Sequence, residues 1–159
     1  MGNVIRVRRE PDPVCKRELQ QRLTGLLPEW FGKDSANVHY AKMAETLEGY
    51  VAEVDGDPKG LLLLKSTAPA SAEIYWMGVE PAFHRHGVGR ALVEACAADA
   101  RKRGRRFLMV STLHPDVSYE PYQRTRQFYE GMGFELVLDE QFPADPQNPQ
   151  AFYLKELPR

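Results

Sequence analysis

Val79-Glu80-Pro81-Ala82-Phe83-His84-Arg85-His86-Gly87-Val88-Gly89-Arg90-Ala91-Leu92 is the stretch that decides the fold. It leaves the β-rich run Glu73-Ile74-Tyr75-Trp76-Met77-Gly78-Val79 and enters the clearest helical repeat in the chain. There Val88, Leu92, Cys96 and Ala100 recur at helical spacing, and Gly104 offers a C-terminal stop. A strand ends, a loop follows, and two glycines open a helix over 87–103. Small residues at such a place let backbone N–H groups approach an anion, and the helix dipole favours a phosphate there. Arg85, His86 and Arg90 add positive charge. A dinucleotide fingerprint would need a third Gly or Ala where Leu92 stands, no intervening Glu80–His86 segment, and an acidic end to the next strand, which closes Ser111-Thr112. A P-loop would need Gly-Lys-Ser/Thr after the glycines. Neither pattern is met. The stretch is an anion cradle of another kind, or its glycines simply permit close packing where helix meets sheet.

Working outward, Val4–Arg8 reads as a first strand, and Pro13–Leu27 as a helix with apolar spacing at Val14, Leu19, Leu23 and Leu26-Leu27, closed by Pro28. Asp34 or Ser35 is expected to cap a second helix running through Leu47, with Tyr40, Met43, Ala44 and Leu47 on one face. Gly49–Val54 and Gly60–Lys65 flank the turn signal Asp55-Gly56-Asp57 as a hairpin. After the 87–103 helix come the buried-type strand Phe107–Thr112, a helix with Pro121 in its first turn that ends near Gly131 and Gly133, and closing strands Phe134–Leu138 and Ala151–Leu154. Hairpins mixed with crossovers imply an α/β (α+β) fold, a mixed sheet with helices packed on its faces.

The composition fits one ordinary domain over 1–159: 43% hydrophobic and 27% charged residues in a chain of 159. A net charge of −1 gives no global field toward nucleic acid or anionic lipid. No apolar run approaches the ~18 residues of a membrane helix. The opening Met1–Arg6 has neither a cleavable apolar leader nor the Ser or Thr that myristoylation wants, so a cytoplasmic protein is the expectation. Cys15 and Cys96 form no metal or disulfide pattern, and Cys96 falls on an apolar helix stripe as a core residue. His39, His84, His86 and His114 lack ligand spacing, so no metal is expected. The basic run Arg101–Arg106 has no interleaved aromatics to stack bases and suits a solvated helix end.

The 84–92 block resembles the acetyl-CoA signature Q/R-x-x-G-x-G/A of the GNAT superfamily of N-acetyltransferases, whose element order also matches most of the chain. Phe128-Tyr129-Glu130-Gly131-Met132-Gly133-Phe134 is similar to that family's late helix-to-strand segment. Glu73 stands ahead of Gly87 at the offset of the general base in histone-acetylating members. Two positions depart: His84 occupies the Gln/Arg position with Arg85 one place late, and Tyr122 stands where many members carry asparagine.

The resemblance implies a mostly antiparallel sheet splayed between strands 4 and 5, with acetyl-CoA as co-substrate in the gap. Backbone groups of Met77, Gly78 and Val79 would pair with the pantetheine arm, and His84, Arg85, His86, Gly87, Val88, Gly89 and Arg90 would hold the pyrophosphate. Tyr122, Thr125 and Phe128 would line the cofactor. A primary amine would attack the thioester directly, with Glu73 as base and Tyr129 as acid. Tyr129 also reads as a core tyrosine, and Glu73 as a solvated strand residue. Trp30, Phe31 and Tyr75 are candidates for an acceptor wall, or for a plain apolar contact in Leu27-Pro28-Glu29-Trp30-Phe31-Gly32. The expected partners are a small-molecule or peptide amine and a second copy of the chain as a homodimer, with no nucleic acid and no membrane. A CoA-binding regulatory module without turnover is the alternative, and a longer acyl group a third reading.

Overall fold

The computed structural model describes residues 2–138 and 149–159. The elements run β1 (Ile5–Glu10), α1 (Pro13–Leu26), α2 (Asp34–Thr46), β2 (Glu48–Val54), β3 (Asp57–Ala68), β4 (Ser71–Val79), a 3-10 turn (Pro81–Phe83), α3 (Val88–Lys102), β5 (Phe107–Leu113), α4 (Glu120–Gly131), β6 (Glu135–Leu138) and β7 (Gln150–Glu156). Hydrogen bonds link the strands in the order β1-β2-β3-β4-β5-β7-β6. Pairing is antiparallel for β1–β2, β2–β3, β5–β7 and β6–β7, and parallel for β4–β5. This is the mixed sheet that the element order implied, mostly antiparallel as the resemblance implied. The chain divides into two compact units, Met1–Lys65 with Tyr75–Asp99, and Ser66–Ile74 with Ala100–Arg159.

In the first unit the β2–β3 hairpin turns through Asp55 (φ 51°) and Gly56 (φ 90°). Two successive left-handed residues match the twist of the flanking strands, which is why Asp-Gly stands there. One side of the strands meets α1 and α2 in a core of Leu23, Ala44, Val51, Leu61, Leu63 and Trp76. Residues of opposite parity meet α3: Tyr50 donates its hydroxyl to Asp99 at 2.8 Å, and Gly60 lies under Val88 and Leu92. Helices therefore cover both faces here. Cys96 is fully buried, as its stripe required, while Cys15 is exposed, and neither forms a disulfide among the described residues.

Two expectations are corrected. α1 starts where Asp12 accepts from the N–H groups of Val14 and Cys15 at 2.8 and 3.1 Å, and Leu19, Leu23 and Leu27 pack inward as expected, but the other two apolar positions do not. Val14 and Leu26 are exposed, and Lys16 and Gln20 are buried beside Leu23 and Leu27. Lys16 is drawn in because its stem lies over Gly49, where a Cβ would stand 2.6 Å from Lys16 Cδ, while its ammonium donates to Leu47 O at 2.5 Å. Leu47 is the C-cap of α2, so a cation there also meets the negative helix end. α2 itself has Lys33, not Asp34 or Ser35, at its N-cap, with no side-chain hydrogen bond; Asp34 serves from the first turn, where its charge faces the dipole.

In the second unit the parallel ladder covers Ser71↔Phe107, Ala72↔Leu108 and Glu73↔Met109. β5 then pairs along its length with β7, which in turn holds β6. Gly104 adopts φ 84°, ending α3 in the left-handed turn that glycine permits. The basic run is not wholly a solvated face. Arg105 donates to Ala68 O, to Ser71 O at 2.8 Å and to Ser66 Oγ at 2.7 Å, clamping the β3–β4 turn. Among the described residues no helix is long and apolar enough to cross a membrane.

Lys16→Met keeps the stem over Gly49 and removes the donor to Leu47 O. It is expected to lower stability by about 1–3 kcal/mol, the range for leaving a buried acceptor unpaired, read as a lower denaturation midpoint with unchanged secondary structure.

Candidate functional site

The quoted loop lies wholly within the first unit, and each of its turns has an identifiable anchor. At the end of β4, Trp76 is buried and its ring lies across Gly78, where a Cβ would stand 2.5 Å from Trp76 Cη2. Glycine at 78 is therefore dictated by the indole. Glu80 comes next. Its N–H donates to Lys59 O at 2.8 Å, and its carboxylate meets Arg22 Nη1 at 3.2 Å and Lys59 Nζ at 3.3 Å. Burial pushes the Glu80 carboxyl up, but the hydrogen bonds from Arg22 and Lys59 outweigh it and hold the group below its ordinary value.

The 3-10 turn closes with Phe83 N–H on Glu80 O at 2.8 Å and His84 N–H on Pro81 O at 3.1 Å. His84 then turns inward, with Nε2 2.7 Å from Val79 O. A carbonyl only accepts, so Nε2 carries the proton and donates. The His84 ring meets Trp30 edge-on, with centroids 5.7 Å apart.

Beyond His84 the backbone enters the left-handed region twice, at Arg85 (φ 64°) and Gly87 (φ 86°). For arginine this is an uncommon conformation, held by the anchored turns on either side. Arg85, His86, Gly87 and Arg90 are exposed, while Val88 is buried and pins the first turn of α3. The helix starts differ in one respect that matters. α1 has Asp12 at its cap, and α2 and α4 carry Asp34 and Glu120 in their first turns, whereas α3 has no acidic residue in its first turn. Its first-turn N–H groups and positive dipole end have no acidic partner there, and exposed Arg85 and Arg90 stand on either side in the sequence, which is the arrangement an external oxyanion fits.

The same unit holds a run of aromatic contacts. Phe31 stacks on Trp76 at 5.1 Å and 29°, Tyr40 meets Phe31 and Tyr75 edge-on at 6.4 and 5.7 Å, and Lys65 Nζ lies 5.8 Å over the Tyr75 ring. Phe31 is thus part of the core contact, while Trp30, Phe31 and Tyr75 all remain partly exposed.

The remaining candidates lie in the second unit. Glu73 is partly buried, opposite Met109 in the parallel ladder. On α4, Tyr129 is buried and wedged edge-on between Phe128 and Phe134 at 5.1 and 5.3 Å. Thr125 Oγ1 donates to Pro121 O at 3.2 Å, and Tyr122 packs beside Tyr119 at 6.0 Å. Sequence reasoning gave no site role to three buried polar residues here: Thr112, His114 and Arg126. Arg126 had a visible signal, since it stands one turn before Tyr129 on the helix. His114 Nδ1 accepts from the Asp116 N–H at 3.1 Å, and a backbone N–H can only donate, so the imidazole carries its proton on Nε2. No group of three His, Cys, Asp or Glu that could hold a metal occurs among the described residues.

A mixed sheet thus carries a glycine-marked, cation-flanked helix start that follows β4 through the 80–87 loop. The sequence matches the acetyltransferase (GNAT) domain over residues 45–136, more than half of the chain, and the chain belongs to that family. Solved structures agree in fold. A GNAT-family protein from Desulfovibrio desulfuricans superposes with a TM-score of 0.82 at 21% identity, covering 98% of this chain and 100% of that one. A GNAT family acetyltransferase from Elizabethkingia anophelis with acetyl-CoA bound gives 0.69 at 16% identity, covering 96% and 98%. The PaiA N-acetyltransferase from Thermoplasma acidophilum in complex with coenzyme A gives 0.72 at 13% identity, covering 96% and 99%. No curated protein matches in sequence.

The anchoring of Glu80 has a pH signature. Its folded pKa is depressed, so its contribution is fully present above the ordinary carboxylate value of about 4.3 and is lost as pH falls through the lower folded value. Glu80→Gln is therefore expected to be less stable than the wild type by a constant margin at neutral pH, and the margin should shrink below about pH 4 in denaturant titrations.

Proposed function

We propose that the protein is an acetyl-CoA-dependent N-acetyltransferase acting on a primary amine by direct attack. The observation that carries this reading is the start of α3, whose first turn has no acidic residue and where Arg85, His86, Gly87 and Arg90 are exposed. The CoA pyrophosphate would sit there, on the N–H groups of the Gly87–Arg90 turn. The ladder toward β5 ends at Glu73, well short of Met77, Gly78 and Val79, and their backbone groups are the ones assigned to the pantetheine amides and the thioester carbonyl. His84 is committed to Val79 O, so Arg85 and Arg90 carry the cationic share of the assignment.

In the proposed reaction Glu73, through water, takes a proton from the acceptor ammonium. The amine nitrogen bonds to the thioester carbon, and a backbone N–H holds the developing oxyanion, the type of stabilisation that contributes most in acyl transfer. The intermediate collapses as the C–S bond breaks and Tyr129 protonates the CoA sulfur; the second proton of the nitrogen passes through water to the tyrosinate, and Glu73 releases the first to solvent. A phenol with an ordinary pKa of about 10 stays protonated through neutral pH, while a thiol near about 8.5 is already a fair leaving group, so the acid assists modestly. No enzyme nucleophile is needed. A bound acetyl-CoA in the Elizabethkingia anophelis structure supports the choice of acyl donor.

Release of free CoA thiol from acetyl-CoA, on adding a pooled set of primary amines, tests the assignment. Amine-dependent release is expected; tight CoA binding with no release above hydrolysis would favour the non-catalytic CoA-binding module. With chemistry limiting, Tyr129→Phe should lower kcat by about 10²-fold with little change in CoA affinity. Full kcat in the folded variant would make Tyr129 a packing residue.

A further inference from the structure

Helix α4 carries a buried arginine for which the proposed chemistry has no use. Arg126 is 8% exposed and lies one turn before Tyr129, on the buried face Pro121, Arg126, Tyr129. Its Nη1 donates to Leu113 O at 2.9 Å, and among the described residues it forms no ion pair. Thr112, the residue just before Leu113 on β5, is 4% exposed, and its hydroxyl has no hydrogen-bond partner among the described residues. Both observations concern the same end of β5.

A guanidinium stays charged at any ordinary pH, and burying it is unfavourable unless an anion and further acceptors compensate. One backbone carbonyl satisfies a single donor out of five. The donors left over form a planar fork whose spacing matches the two oxygens of a carboxylate, and the unpartnered hydroxyl of Thr112, one residue before the carbonyl that Arg126 meets, offers a further donor. An apolar residue would have packed this face of α4 at lower free energy. Arginine there, bonded to the carbonyl of the residue that follows a threonine whose hydroxyl has no partner among the described residues, is the pattern of a seat for an anionic group that arrives with a ligand.

Resting on the acetyltransferase reading, we infer that Arg126 and Thr112 hold a carboxylate carried by one of the two reactants, either the amine acceptor or the acyl chain of the CoA thioester. In the first case the acceptor is an amino acid or another amine bearing an acidic group. In the second the preferred donor is a dicarboxylic acyl-CoA. The chemistry at Arg126 is the same, and the two arms of one experiment separate the sources.

The acceptor arm compares the standard amino acids with their carboxamides under acetyl-CoA. The acyl arm compares succinyl-CoA with acetyl-CoA on a carboxamide acceptor. One arm is expected to favour the acid by roughly 10- to 100-fold in kcat/KM, the range for a charge-assisted hydrogen bond, mostly through KM. Arg126→Met should treat acid and neutral compound alike, Thr112→Val should weaken the preference, and Arg126→Lys should restore part of it. If Arg126→Met does not fold, the lysine and valine variants carry the test.

The same pairs are compared without turnover, as shifts in melting temperature: N-acetylleucine against its methylamide with CoA present, and succinyl-CoA against acetyl-CoA. An acid-specific shift that needs Arg126, in a protein that acetylates no amine, would uphold this site and overturn the acetyltransferase reading. Absence of acid preference in both arms and in both binding comparisons, or a preference unchanged in folded Arg126→Met, overturns the site.

Discussion

The candidate cofactor site depends on how closely α3 is seated on β3. Val88 Cγ1 and Leu92 Cδ1 lie so near Gly60 that a single methyl there would come within 3.1 and 3.0 Å of them, with Val79 Cγ2 at 3.4 Å. That contact brings the start of a long helix down beside the end of β4, with Val88 buried and its neighbours in solvent. A helix N-terminus is an anion site only if it is both exposed and free of its own acidic residue. Here packing supplies the first condition and the sequence the second.

The loop between strand and helix is held from both ends. Glu80 joins Arg22 of α1 to Lys59 of β3, and His84 returns a hydrogen bond to Val79 O. Between these anchors and Val88 the chain has few conformations left, and it takes left-handed backbone at Arg85 and Gly87. Such strain persists where the surroundings over-determine it. His84 shows why a motif position does not carry a role by itself: the ring that stands at the polar motif position is spent on the fold, and the proposed reading passes the cationic share to Arg85 and Arg90, the latter also paired with Glu94 at 3.6 Å.

What was legible in the sequence follows from locality. The periodicity of Val88, Leu92, Cys96 and Ala100, the Asp55-Gly56 turn and the Gly104 stop are each set by neighbours within a few residues, and each was found where expected. The 3-10 turn at Pro81–Phe83 lacked a distinct period, and β7 lies between β5 and β6 because of long-range pairing that no local pattern encodes. Polar residues misled most. Lys16 goes inward because its stem covers Gly49 and its ammonium caps α2, and Arg105 because the carbonyls of Ala68 and Ser71 await it. Neither partner is near in sequence. Glu73 and Tyr129 stood out through their motifs, whereas the burial of Arg126 and Thr112 depends on packing between elements distant in sequence.

The central claim is that the start of α3 binds the pyrophosphate of CoA. Backbone amide NMR on CoA titration tests it directly, with pantetheine, which lacks the pyrophosphate, as the control. The account expects the largest shifts at Val88, Gly89 and Arg90 with CoA and small ones there with pantetheine. CoA binding that leaves those three amides unmoved would contradict it.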